Sequence, residues 1–225
     1  MLIATRQKLQ LEVPPLNIVL NGTPIKQVEV HELLGVTIDN QLQWQPHVDR
    51  ISKIISRKLY LLSRIRYIVD EPTRKIFFHA HIKPHFDYCS NIWDSCSDNI
   101  FKKLNSLHRR AINLTHSSSC ISTEEKYIAL NILPLKQHLL FNKAVFMFKI
   151  VTGEAPEYLT DVFQFFPRKY SNSRQTLTVI RPRIDLFKSS LLYSGASLYN
   201  SLPNSVKSLG TVKAFKTNLL SLFKK

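Results

Sequence analysis

Acidic residues are scarce in this sequence: 16 Asp and Glu stand against 31 Lys and Arg, a formal net charge of +15. An excess of that size repels itself in the compact state and points to a polyanionic partner. Five glycines against 11 prolines argue against a turn-rich β sandwich and for helices punctuated by proline. The three cysteines, Cys89, Cys96 and Cys120, form no CxxC pair and read as reduced thiols of an intracellular protein. No apolar run approaches the roughly 18 to 20 residues needed to span a bilayer. Arg6 and Lys8 interrupt the first residues too early for a signal-peptide core. No membrane partner is expected, and the expected compartments are nucleus and cytoplasm. There is no Gly-x-Ser-x-Gly elbow to suggest a hydrolase. His81, His85 and Cys89 are spaced by four, but Pro84 would bend that face and no fourth ligand is obvious, so no metal site is expected.

What is present suits a folded, mainly helical chain. Hydrophobic content of 44% and aromatic content of 10% are enough for a core. The first forty residues read as β: an apolar start at Met1 to Ala4, then a linker ending at Pro14 and Pro15. Asn21-Gly22 between Ile18-Val19-Leu20 and Thr23-Pro24-Ile25 is the preferred pair for a tight hairpin, because both positions tolerate positive φ. A further strand is expected over Leu33 to Ile38, with Gly35 inside it.

Helices follow. One opens near Pro46 and runs to about Ile68; Val48, Ile51, Ile55, Leu59 and Leu62 share its apolar half. Arg50, Lys53, Arg57 and Arg64 form a narrow stripe beside that half, with Tyr60 at its edge. Asp70 and Pro72 open a second helix, which Pro84 should kink or end. A third spans about Asp98 to Thr115, with Lys102, Lys103, Arg109 and Arg110 opposite its core face. Ser122 to Glu125 has the spacing of a capping box. Leu135 to Thr152 is apolar almost all round and predicts a buried helix stopped by Gly153. Residues 164 to 180 read as a basic linker, followed by a short strand at Thr176 to Ile180, a turn at Ser194-Gly195 and a last helix from Val212 to Phe223. From Val162 onward the only acid is Asp185, against eleven Lys and Arg.

The expected fold is therefore mainly α with a small N-terminal β hairpin or sheet, an α+β arrangement in three parts. Residues 1–44 form the β segment, 45–163 a helical bundle, and 164–225 a basic, less ordered C-terminal region.

Six separated blocks resemble one family. Leu34-Gly35-Val36-Thr37-Ile38-Asp39 with Leu42, Trp44 and His47 is similar to the "LGV-x-ID…L-x-W…H" block of jockey-like non-LTR retrotransposon reverse transcriptases. Ile82 to Ser90 with Trp93 resembles their "I-x-PH-x-DYC-S-x-x-W" block. Leu107 to Ile112 resembles "LQ-x-RAI", with His108 in place of the usual Gln, and Leu130 to Leu135 matches "LNILPL". Pro156-x-Tyr158-Leu159 resembles "PPYL", and Gly195 to Pro203 resembles "GA-x-LWNSLP", with Glu157 and Tyr199 as departures.

The resemblance implies the end of a polymerase palm followed by a helical thumb. Such enzymes hold two magnesium ions on palm aspartates. This sequence has no adjacent aspartate pair, its eight aspartates being scattered from Asp39 to Asp185. The carboxylates, and the Mg2+ they would bind, are expected in a palm and fingers preceding this stretch of the same polyprotein. The chain alone is expected to be inactive and without a cofactor of its own. Its expected role in the RNA-directed DNA polymerase of a transposable element is to grip RNA–DNA hybrid or duplex through phosphates, with Arg50, Lys53, Arg57, Tyr60, Arg64, Lys102, Lys103, Arg109 and Arg110 as candidates. The competing reading is a non-catalytic basic helical module, retained by a host, that binds RNA or protein.

Overall fold

The computed structural model describes residues 18–118, 120–163 and 176–224. The expected segments at Met1 to Pro15, and the part of the basic linker up to residue 175, lie outside them. The architecture is mainly α with small N-terminal antiparallel hairpins.

Strand β1 (Val19–Leu20) pairs with β2 (Thr23–Pro24) across Asn21 and Gly22, both at positive φ. The next segment departs from the single strand expected: it is a second hairpin, β3 (Val30–Leu33) with β4 (Val36–Asp39). Leu34 (φ 48°) and Gly35 (φ 77°) form its turn, so the glycine reverses the chain rather than bending a strand. A lone hairpin is marginal in water. This one is carried by buried Val36 against helix α1 (Gln45–Ile65), and Arg50 of α1 donates to the Gly35 carbonyl.

Asp39 builds the corner between them. Its carboxylate accepts from the backbone N–H groups of Gln41, Gln43 and Trp44 at 2.7 to 3.0 Å. That fixes Trp44 in a left-handed conformation as the residue before α1, where its buried indole donates to Ser95 at 3.0 Å.

Asp70 caps α2 (Glu71–Phe77), its side chain accepting from the Thr73 N–H. A π-helical turn, Phe78–Ile82, separates α2 from α3 (Lys83–Asp87). There the Lys83 N–H reaches the Phe78 carbonyl, five residues back, so the chain stays helical past Pro84. Short α4 (Ser90–Trp93) follows Cys89, whose positive φ breaks the four-residue spacing from His81 and His85. Then come α5 (Asp98–Thr115) and α6 (Thr123–Leu130), the latter with both capping-box hydrogen bonds between Ser122 and Glu125.

Helix α7 (Leu135–Val151) is the spine. Its first half packs Leu135 and Leu139 into one core with α1, α5, Phe78, Phe86 and Trp93. Its second half, Ala144 to Ile150, packs into another with Tyr199, Phe215 and Leu219. Gly153, at φ 76°, follows it as expected.

The C-terminal stretch holds more helix than its sequence advertises: after α8 (Glu157–Val162) come α9 (Asp185–Ser189), α10 (Leu191–Ser201), α11 (Asn204–Lys207) and α12 (Val212–Phe223). The turn expected at Ser194-Gly195 lies inside α10. A Cβ on Gly195 would fall 2.7 Å from the Met147 sulfur, so the glycine lets α10 approach α7. The strand expected at 176–180 is reduced to a single bridge residue, Leu177, whose N–H and carbonyl both bond the Asn200 side chain.

Candidate nucleic-acid interface

Helices α1 and α5 lie side by side in the same sense. Near their starts, Lys103 meets Asp49 at 2.5 Å. Beyond their ends, buried Arg74 donates to the Arg66 carbonyl at 2.8 Å and to the Ser117 hydroxyl. Ser52, Ile55, Leu59 and Leu62 of α1 and Leu104, His108, Ala111 and Ile112 of α5 face the core, which leaves each helix one solvated side.

The nine residues proposed from sequence divide there. Arg50 pairs with Glu32 at 3.0 Å and donates to the Gly35 carbonyl, so it fastens the second hairpin to α1. Lys103 is held by Asp49, and Arg109 by Glu124 at 2.9 Å. These three cations have structural partners, although Lys103 and Arg109 stay solvent-accessible. Lys53, Arg57, Arg64, Lys102 and Arg110 are exposed, and among the described residues none has an acidic partner. Tyr60 is exposed beside them.

On α1 the free residues fall in line. Lys53, Arg57, Tyr60 and Arg64 recur at intervals of four, three and four, and Tyr67 continues the line three residues on. At about 100° per residue they span about 80° of the helix surface. Backbone hydrogen bonds from Arg66, Ile68 and Val69 back to Leu62 and Ile65 carry the winding past the end of α1. Sequence reading stopped this line at Arg64; following the same spacing one step further finds Tyr67.

Just past the end of α1, Arg66 is a wall of an open cleft of about 450 Å³. Arg66, Lys102, Arg109 and Arg110 line it together with Asn105, Ser106 and Asn113, and none of its walls is acidic. Arg66 was not among the sequence candidates, since nothing local separates it from a solvated charge. Guanidinium, ammonium, amide and hydroxyl donors in an acid-free groove are the groups that bind phosphate oxygens.

The motif blocks serve a different purpose. Tyr88 donates to the Leu34 carbonyl at 2.6 Å, and its ring covers Gly35, joining the first block to the second. Trp93 is fully buried, donates to the Tyr88 carbonyl at 2.8 Å and lies 6.1 Å from the His47 ring. Asp87 accepts from Lys83 at 2.5 Å and from Asn142 at 3.0 Å, and it also bonds His138 of α7. Burial raises the Asp87 carboxyl, but the His138 and Lys83 interactions outweigh it and hold the group far below the usual carboxylate range. Asp94 pairs with Lys143 at 2.6 Å with both side chains buried, and burial keeps its carboxyl above the usual range despite that ammonium. His108 stacks on Tyr127, its Nδ1 2.8 Å from the phenol oxygen, and burial pulls its pKa down to about 3.

Six of the eight aspartates are therefore engaged in structure. Asp39 and Asp70 cap backbone N–H groups, while Asp49, Asp87, Asp94 and Asp185 pair with basic side chains. Among the described residues, no helix is long and apolar enough to cross a membrane, and no group of three or more His, Cys, Asp or Glu is gathered to hold a metal ion. No protein-family model matches the chain, and no curated protein or solved structure matches it.

Proposed function

We propose that the chain grips duplex nucleic acid, RNA–DNA hybrid included, through its phosphates, as the thumb-like part of a retrotransposon RNA-directed DNA polymerase. The observation that carries the reading is two sets of cations, Lys53, Arg57 and Arg64 in line on α1 and Arg66, Lys102 and Arg110 around a cleft with no acidic wall. A net charge of +15 supports it, as do the six motif blocks in the family's order. Polymer chemistry would come from palm carboxylates outside this chain, whose own aspartates cap turns and pair with basic residues. The chain supplies positioning: cations on rigid helices hold a duplex of any sequence at fixed height and angle.

Phosphate gripping releases counterions, so log K falls with log salt by about 0.9 per phosphate neutralised on B-DNA. Five exposed cations without an acidic partner among the described residues, Lys53, Arg57, Arg64, Lys102 and Arg110, set an expected slope of about −4 to −5. Changing Lys53, Arg57 and Arg64 together to Gln should flatten it by about 2 to 3. Arg50→Gln, which loosens the hairpin, should lower the denaturation midpoint and leave the slope alone. An unchanged slope in the triple variant would place the grip elsewhere.

A further inference from the structure

Tyr67 ends the basic line of α1 next to Arg66, a wall of the cleft, and it is 82% exposed. Its ring is not loose: the Arg66 guanidinium carbon lies 4.6 Å from the ring centroid. Arg66 is also a wall of the cleft, so the ring is physically continuous with the phosphate-binding donors. The ring is thus flanked by a cation of the cleft and otherwise stands in solvent. Ile68 beside it is likewise 82% exposed and extends the apolar surface. Burying so little of a Tyr and an Ile contributes little to folding, whereas a planar ring held by a cation at the end of a basic groove suits a nucleobase.

Bases within a duplex have both faces covered by their neighbours. A ring at the end of the groove therefore has a partner only where pairing stops. We propose that Tyr67, backed by Arg66, is a stacking platform for the first unpaired base of a strand whose duplex phosphates lie along α1 and α5. The ligand is then a junction of duplex and single strand, with the cleft taking the phosphates and the ring taking the base. This inference rests on the phosphate-gripping reading above.

The test compares a blunt RNA–DNA hybrid with the same hybrid carrying a short single-stranded overhang, in separate arms for 5′ and 3′ overhangs. A fluorescent base analogue is placed at the first unpaired position. The chain is expected to bind one tailed form about tenfold more tightly than the blunt one, and to quench the analogue. Tyr67→Ala should remove the preference and the quenching while leaving blunt affinity and its salt slope unchanged; Tyr67→Phe and Tyr67→Trp should keep both. The proposal is overturned if the unmodified chain shows no preference, if Tyr67→Ala retains it, or if Tyr67→Ala weakens blunt and tailed binding equally. If the blunt hybrid is bound with the expected salt slope but the tail has no effect, only the stacking platform falls. If neither form binds, the phosphate-gripping reading falls with it.

Discussion

His108 shows how one buried side chain makes stability depend on pH. The folded protein holds its ring neutral, because burial first and His138 second pull its pKa down to about 3. The unfolded chain takes up that proton as pH drops below about 6.5. The unfolded state then binds more protons, so stability falls with pH between those limits, by up to about 1.4 kcal/mol per unit. His47, His79 and His85 are lowered too, each chiefly by burial, and add slope of the same sign. His108→Gln, which removes the titrating ring, should make denaturation midpoints distinctly less sensitive to pH between about 5 and 6.5. An equally steep profile in that variant would mean that the ring is not buried neutral. Lys143 tests a second buried group. Lys143→Met strands the Asp94 carboxyl in the interior and should cost about 3 to 5 kcal/mol by chemical denaturation. Changing Asp94 to Asn as well should recover most of that loss.

Local rules brought several elements into view from the sequence, and long-range contacts hid the others. The Asn21-Gly22 hairpin, the Ser122 capping box and the Gly153 stop were legible because each is settled within a few neighbouring residues. Gly35 was misread because Val36 and Ile38 alternate in the same way whether Gly35 interrupts a strand or turns one. Gly195 was misread because glycine inside a helix is costly unless another element needs the space, and here the Met147 sulfur does. Gly195→Val should force α10 away from α7 and lower stability by about 1 to 3 kcal/mol. Gly195→Ala should cost less, since a thioether can swing aside; indifference to both substitutions would contradict the close approach. The basic stripe was visible as a pattern, but its division into paired and free cations was not. Arg50 differs from Arg57 only because Glu32 and Gly35 arrive from 18 and 15 residues away.

At the scale of the whole molecule, much of the motif blocks holds the fold together: Asp39, Trp44, Tyr88, Trp93, His108 and Gly195 join hairpin to helix and helix to helix, while Arg109 and Arg110 of the third block line the cleft. The proposed grip is on the outside, made of lysines and arginines on the solvated sides of α1 and α5. The most direct measurement is equilibrium binding of the purified chain to RNA–DNA hybrids of unrelated sequence across a salt series. Phosphate gripping by the α1–α5 surface predicts similar affinity for every sequence and a common slope of about −4 to −5. Absence of binding, a flat salt dependence, or strong preference for one sequence would contradict it.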